Sequence, residues 1–161
     1  MQATLSPDSP SMSAQKPPRI SRLRLAELAA LLAILLLAAY LRFSNLEALG
    51  YGNHYYTAAV TSMLKSWHNF FFVAAEPGGA VSVDKPPLGL WSQAAFAYFL
   101  GVSGFSVILP QILAGLLSIL VLYHLVRRTW GAPAGLVAAL ALAITPVVIA
   151  TDRHNTMDSQ L

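Results

Sequence analysis

The segment from Val107 to Val126 reads VILPQILAGLLSILVLYHLV and decides the fold. It contains no Asp, Glu, Lys or Arg, and a helix of about 20 apolar residues is long enough to cross the hydrocarbon core of a bilayer. Pro110 lies in the first turn, where a missing N–H does little harm to a helix. Arg127 and Arg128 follow the segment directly. The pattern predicts a membrane-spanning helix that ends in a charged turn.

Two further segments are apolar enough to cross a bilayer. The stretch AGLVAALALAITPVVIA runs from Ala134 to Ala150, which is about the minimum length of a spanning helix. A Leu- and Ala-rich stretch runs from Leu23 to Leu41. The predicted spans are therefore about 23–42, 107–126 and 134–150, and Pro146 is expected near the end of the third helix.

The composition agrees with a membrane protein. Of 161 residues, 56% are hydrophobic and 11% are charged, against about 25% charged in an average soluble domain. Such a chain is too apolar to be disordered. The net charge is only +3, and the basic residues cluster only near the N-terminus, which argues against a nucleic-acid partner. The chain has no cysteine, so disulfides and thiolate metal sites are excluded.

The N-terminal residues 1–22 are rich in Ser and Pro and lack apolar periodicity, which predicts a disordered tail. A signal peptide is the alternative, but the apolar run that follows is longer than the roughly 7–15 residues of a signal-peptide core. Basic residues before the first span place the tail in the cytoplasm by the positive-inside rule. We therefore expect a multi-pass protein of the plasma (inner) membrane.

The segment 86–102 decides the topology. It is apolar, but Ser92 and Gln93 interrupt it. If it spanned the membrane, Arg127 and Arg128 would lie outside, whereas a non-spanning helix leaves them inside, as the charge rule prefers. We therefore predict an all-α polytopic membrane protein with about three transmembrane helices. Its long first external loop, 43–106, would contain interfacial helices, and a second external segment would begin near Thr151.

The external loop has its own helical pattern. The stretch 54–70 reads HYYTAAVTSMLKSWHNF. Apolar side chains recur at helical spacing on one face: Tyr56, Ala59, Val60, Met63, Leu64 and Trp67. The opposite face is polar and holds His54, Thr57, Thr61, Lys65 and His68. The pattern predicts helices that lie along the membrane surface; a purely structural cap is the alternative.

Two charged clusters lie at predicted membrane boundaries. Asp84 and Lys85 directly precede Pro86 and Pro87, and the segment TDRHNTMD runs from Thr151 to Asp158 after the third span. A lipid phosphate would lie at such a boundary, although charges that flank spans are also common anchors. No zinc-protease, serine-hydrolase, Walker or dinucleotide motif occurs. From these residues alone, a non-catalytic polytopic protein that binds a lipid or a partner remains an alternative.

The order of motifs resembles the family 39 glycosyltransferases of the multi-span C type, which include protein O-mannosyltransferases and lipid A aminoarabinose transferases. The matching elements, in chain order, are Tyr-Tyr-x-Ala-Ala-Val-x-Ser-Met from Tyr55, Asp-Lys-Pro-Pro-Leu-x-x-Trp from Asp84, Leu109-Pro110, Arg127-Arg128-x-x-Gly131 and Arg-x-Asn-x-x-Asp from Arg153. The resemblance makes residues 23–161 the N-terminal part of a membrane glycosyltransferase domain. It runs from about Arg22 to the last residue.

The resemblance implies transfer of a sugar from a polyprenyl-phosphate donor to a hydroxyl of a lipid, glycan or protein acceptor on the external face. It makes Asp84, Lys85 and Asp158 the candidate catalytic residues, with Lys85 at the departing phosphate. The candidate substrate-binding residues are Asn53, His54, Tyr56, Arg153 and Asn155. No cofactor is certain, and a divalent metal is an open option.

The sequence departs from the family pattern in two respects. Family members of this type often carry an acid pair before the Tyr-x-Ala stretch, where this chain reads Gly52-Asn53-His54. The general base is therefore open between Asp84, Glu76 and His54, and a different arrangement in this branch of the family is the further alternative. Family members also have several hundred residues and roughly a dozen spans, as the resemblance implies. We therefore expect this chain to be a fragment that is inactive alone.

Overall fold

The structure is a computed structural model that describes residues 22–156. The predicted disordered tail and the candidate residue Asp158 lie outside the described residues. The described chain is helical, and two of its helices are long and apolar enough to cross a membrane. A bent pair of helices makes a third candidate span. The predicted fold class, an all-α polytopic membrane protein with about three spans, is confirmed.

The helices follow one another with short connections, apart from one longer loop before the fourth helix. In chain order they are α1 (Arg22–Phe43), a 3-10 turn (Leu46–Leu49), α2 (His54–Met63), α3 (Trp67–Phe71), α4 (Pro87–Leu100), α5 (Gly104–Trp130), α6 (Ala132–Ile144) and α7 (Pro146–Asp152).

The two long helices, α1 and α5, run antiparallel. Glu27 near the start of α1 accepts a hydrogen bond from Arg127 near the end of α5, with Arg127 Nη2 at 3.3 Å from Glu27 Oε2. At the other end, Gly104 at the start of α5 packs directly against the carbonyl oxygen of Gly50. We call the end with Gly50 and Gly104 the loop end, and the end with Glu27 and Arg127 the arginine end.

Helix α4 does not carry the chain across to the arginine end. It has 14 residues, or about 21 Å, which is shorter than the roughly 30 Å of a hydrocarbon core. It ends at Leu100, and α5 begins at Gly104 at the loop end. Because α5 starts beside the end of α1, the chain stays on one side between these two helices. This is the geometry that a non-spanning α4 requires.

The third predicted span, 134–150, is not one continuous helix. The helices α6 and α7 meet at an angle of 62°, and Thr145 between them has an extended backbone with ψ 117°. Pro146 causes this break, because proline disfavours the helical conformation in the residue before it and lacks the N–H that would continue the helix. Our expectation that Pro146 merely lies near the end of a helix was wrong.

The stretch 54–70 is also divided. Helix α2 ends at Met63, and α3 begins only at Trp67, where the Ser66 hydroxyl accepts a hydrogen bond from the Asn69 N–H at 3.1 Å and caps the helix. The predicted apolar face is buried from Tyr56 to Met63. Trp67 is 82% exposed, because the new helix starts with a different rotation from α2.

Two apolar clusters hold the helices together. The first joins the segment between α1 and α5 to the start of α5, and its members include Val60, Met63, Leu90, Ile108 and Ile112. The second joins α1, α5 and α6, and its buried members are Leu31, Ala38, Ile119, Tyr123, Ala139 and Ala143. In the first cluster, each buried aliphatic side chain contributes about 1.5–3 kcal/mol relative to exposure to water. The second cluster lies between candidate membrane spans, where van der Waals packing holds helices together. The loop end is therefore a packed layer on top of a three-helix bundle.

We expect the substitution Gly104→Ala to lower the thermal unfolding midpoint in detergent. The added Cβ would overlap the Gly50 carbonyl oxygen, which belongs to the backbone and cannot rotate away. Overpacking of this kind costs about 1–3 kcal/mol. Tryptophan fluorescence during heating measures the midpoint. The control is Ser118→Ala on the same helix, where the exposed hydroxyl bonds only to Ala114 O. Equal midpoints for the two variants would contradict the close approach.

Candidate active site at the loop end

A buried ion pair joins the first and last described helices. Arg42 Nε lies 2.7 Å from Asp152 Oδ2, and both side chains are almost completely buried. Arg42 Nη1 also donates to the carbonyl oxygens of Ala38 and Ala143, each at 3.2 Å. Two charges in an apolar surrounding are stable only when paired and hydrogen-bonded. The pair therefore fixes the end of α7 against the last turn of α1 and the end of α6.

Helix α5 leaves room for this pair at Gly115. A Cβ at that position would overlap the carboxylate of Asp152, so only glycine lets α5 approach Asp152 so closely. Gln111, one turn earlier, is fully buried, and its side-chain amide has no hydrogen-bond partner among residues 22–156.

The next residue, Arg153, closes the end of α1. Its Nη1 donates to Leu41 O at 3.1 Å, and its Nη2 donates to Ser44 O at 2.8 Å. The last carbonyls of a helix have no partner within the helix, and a cation at this end also interacts favourably with the helix dipole. Arg153, a candidate substrate-binding residue, is partly exposed and has this capping role in the structure.

Asn155 connects three parts of the loop end. Its Oδ1 accepts from Asn53 N at 2.6 Å, and its Nδ2 donates to Asn53 O at 3.2 Å and to Thr57 Oγ1 at 3.0 Å. Its backbone oxygen accepts from Gln93 Nε2 at 2.9 Å. The side chain is fully buried, and all its polar atoms are used. The structure thus brings Asn53 and Asn155, both candidate binding residues, into direct contact.

Asn53 also starts helix α2. Its Oδ1 accepts hydrogen bonds from the N–H groups of Tyr55 at 3.0 Å and Tyr56 at 3.4 Å, which is the N-cap arrangement that Asn favours. Of the other two candidate binding residues, Tyr56 is buried and His54 is exposed. Asn53 is half-buried, so His54 is the most exposed of these three.

Asp84 and Lys85 lie exposed just before helix α4. Within residues 22–156, neither side chain makes a hydrogen bond or an ion pair, so they do not pair with each other. Pro87 occupies the first position of α4, where its fixed backbone angle favours helix initiation. Gln93 lies about 9 Å along the helix axis from Pro87. Because Gln93 donates a hydrogen bond to the backbone oxygen of Asn155, helix α4 connects Asp84 and Lys85 to Asn155.

Glu76 lies in the loop between α3 and α4, and its carboxylate is hydrogen-bonded to nearby backbone N–H groups. The N–H groups of Ala80 and Gly78 donate to its carboxylate at 2.7 and 2.6 Å. These hydrogen bonds lower the pKa of Glu76 below its ordinary value, the one from Ala80 most. A carboxylate stabilised in this way is a weaker proton acceptor, so Glu76 suits a general base less well than a free carboxylate does.

The described residues do not fit a metal site. No group of three or more His, Asp or Glu side chains between positions 22 and 156 is close enough to hold an ion. Asp152, a carboxylate deep in the loop end, is committed to Arg42.

The sequence around these residues is similar to a known protein family and to two curated proteins. The family profile "Dolichyl-phosphate-mannose-protein mannosyltransferase" matches residues 84–161, and the match begins at the Asp84-Lys85 pair. Two Bacillus subtilis (strain 168) proteins are also similar. The candidate mannosyltransferase YycA is 48% identical over 133 residues, and the candidate mannosyltransferase YkcB is 44% identical over 131 residues. The predicted family resemblance is confirmed.

The matches cover most of this chain and a small part of each relative. They include 83% and 81% of the chain, but only 19% of YycA and 18% of YkcB. The chain therefore spans about a fifth of the length of these relatives. No solved structure matches the chain significantly.

Sequence reasoning missed the residues that hold the site together. Arg42, Asp152 and Gln93 are not among the candidate site residues that the sequence motifs give. One signal could have found the ion pair: Arg42 lies at the end of α1 opposite to the cluster of basic residues, where a cation is unexpected unless it is paired.

We expect single substitutions of the buried pair to be strongly destabilising. Arg42→Leu or Asp152→Leu would leave one buried charge without a partner, at a cost of about 3–5 kcal/mol. The double variant Arg42→Leu/Asp152→Leu should lose much less than the sum, because it removes both charges. Denaturant unfolding in detergent micelles measures these free energies. Arg128→Leu, at an exposed position, is the control. Additive losses would show that the two charges do not interact.

Proposed function

We propose that this chain is the N-terminal part of an integral-membrane glycosyltransferase that takes its sugar from a polyprenyl-phosphate donor. The observation that carries the proposal is the position of Asp84 and Lys85 at the head of α4, where the mannosyltransferase family match begins. Both side chains are exposed and have no hydrogen-bond or ion-pair partner among residues 22–156. A hydroxyl of a lipid, glycan or protein is the acceptor. The reaction takes place on the external face of the plasma membrane, at the loop end.

In the proposed reaction, the acceptor oxygen attacks the anomeric carbon of the sugar from the face opposite the phosphate. The acceptor proton passes to a carboxylate, for which we choose Asp84 over Glu76, because Glu76 is held in its ionised form by backbone N–H groups. The bond between the anomeric carbon and the phosphate oxygen breaks. The sugar is transferred with inversion, and polyprenyl phosphate leaves.

The leaving phosphate gains negative charge as that bond breaks. Lys85 would stabilise this charge, and Arg153 is the second candidate. Pro86 and Pro87 have no N–H, so the first N–H groups of α4 belong to Leu88 and the residues after it. Such groups at a helix N-terminus also favour an anion. A positive charge that is already in place before the reaction stabilises the transition state more than a charge that must move into place during it.

The remaining candidates divide by accessibility. His54 is exposed and could contact the acceptor or the donor sugar, and it is the alternative general base. Asn53, Tyr56 and Asn155 are engaged in the packing of the loop end, so we propose that they support the binding surface. Asp158 stays a proposed catalytic residue that shapes the site.

Replacement of Lys85 tests the leaving-group role. In the full-length protein, Lys85→Ala should lower the turnover number for sugar transfer by about 100-fold or more, because loss of one such stabilising group typically costs that much. Lys85→Arg should keep part of the activity. The assay follows transfer of labelled mannose from polyprenyl phosphate in membranes. Lys65→Ala, which removes another exposed lysine of the same loop, is the control. Wild-type turnover by Lys85→Ala at equal protein level would refute the role.

Cysteine labelling tests the orientation, because the chain has no native cysteine. We expect His68→Cys to react with an impermeant reagent from outside the cell and Thr129→Cys to react only after the membrane is opened. Both positions are exposed in the structure, whereas Asn155 is fully buried and is not suitable. Labelling of Thr129→Cys from outside would reverse the proposed topology.

A further inference from the structure

The arginine end contains a cleft that the proposed reaction does not use. It lies between α1 and α5 and has a volume of about 350 Å³. Its lining residues are Arg24, Glu27, Leu28, Tyr123, His124 and Arg127. The cleft is at the opposite end of the bundle from Asp84 and Lys85, so a ligand here would be separate from the sugar donor.

Arg127 is oriented in this cleft by Glu27. One oxygen of the Glu27 carboxylate accepts hydrogen bonds from the Tyr123 hydroxyl and from Arg127 Nε, and the other lies 3.3 Å from Arg127 Nη2. The negative charge of Glu27 is therefore balanced by Arg127 within the protein. The Arg127 side chain is still 37% exposed, and its Nη1 has no partner among residues 22–156. A guanidinium held on one side keeps its other side available, and Arg binds phosphate oxygens well in this way.

The charge around the cleft is mainly positive. Arg24 and Arg127 line it, and the exposed residues Arg22 and Arg128 lie beside them on the same two helix ends. Glu27 is the acid of the lining, and it is already neutralised by Arg127. An anionic ligand is therefore complementary to this cleft.

An apolar surface continues from the cleft toward the middle of the bundle. Leu28 lines the cleft, and Leu32 lies one turn further along the same face of α1; they are 52% and 57% exposed. On α5, Leu120 lies one turn inward from His124 and is 37% exposed. A free phosphate ion would contact only the charged part. A ligand with a phosphate and hydrocarbon chains would contact both parts.

From this combination we propose that the cleft binds the headgroup phosphate of an anionic membrane phospholipid. The phosphate lies between Arg24 and Arg127, and the acyl chains follow Leu28, Leu32 and Leu120. Basic pockets between transmembrane helices at the cytoplasmic side commonly hold anionic headgroups. The proposal concerns binding only, and its test does not depend on sugar transfer.

The test measures lipid binding by the purified protein in detergent, by native mass spectrometry. Dioleoylphosphatidylglycerol should bind at least 10-fold more tightly than dioleoylphosphatidylcholine. Arg24→Gln should reduce this binding at least 5-fold while leaving the Glu27–Arg127 pair in place, and Arg127→Gln should do the same. The matched control is Arg128→Gln, which removes the same charge next to the cleft but not from its lining, and should change binding less than 2-fold.

Four outcomes would overturn the proposal. Equal affinity for the two phospholipids would remove the anionic specificity, and an equal loss in Arg128→Gln would assign binding to diffuse surface charge. Displacement of phosphatidylglycerol by millimolar inorganic phosphate would assign the cleft to a free ion. Undecaprenyl phosphate is a separate arm: Arg24-dependent binding tighter than that of phosphatidylglycerol would assign the cleft to the polyprenyl lipid.

Discussion

The burial of the Arg42 charge is the constraint on which the rest of the loop end depends. A guanidinium that is shielded from water requires an anion and acceptors for its N–H groups. Asp152 and the carbonyl oxygens of Ala38 and Ala143 supply them for Nε and Nη1, whereas the buried Nη2 has no partner among residues 22–156. To place Asp152 there, the chain must turn by 62° after α6 and α5 must have a glycine at position 115. The bend at Pro146 and the small residue on α5 therefore serve the same contact.

The residues that follow Asp152 connect this ion pair to the segment between α1 and α5. Asp152 holds the last turn of α1, Arg153 caps the same helix, and Asn155 binds the start of α2 and, through Gln93, helix α4. A single short segment after α7 thus contacts three other helices. The exposed Asp84 and Lys85 stand at the head of one of them, so the geometry of the proposed site depends on contacts that are themselves buried.

Sequence patterns predicted the helices well because long apolar segments in a membrane protein have few alternatives. The first two spans and the buried face of α2 follow from hydropathy and periodicity alone. The break at Thr145 was underestimated because a proline near a helix end and a proline at a bend look alike in sequence. The contact between Arg42 and Asp152 could not be derived, because it joins residues 110 positions apart and local periodicity contains no information on such pairs. Asn53 and Asn155 are both candidate binding residues from the sequence. Their mutual contact could not be derived either, because they lie 102 positions apart.

The sequence separation of the Arg42–Asp152 pair has a consequence for biosynthesis. Ribosomes add about 5–20 residues per second, so Arg42 is made roughly 5–20 s before its partner. Until Asp152 has been synthesised, the Arg42 cation at the end of α1 has no ion-pair partner in the chain. Helix α1 can therefore form this buried contact only after α7 has been synthesised. The first and last described helices of the chain mature in a single late assembly step.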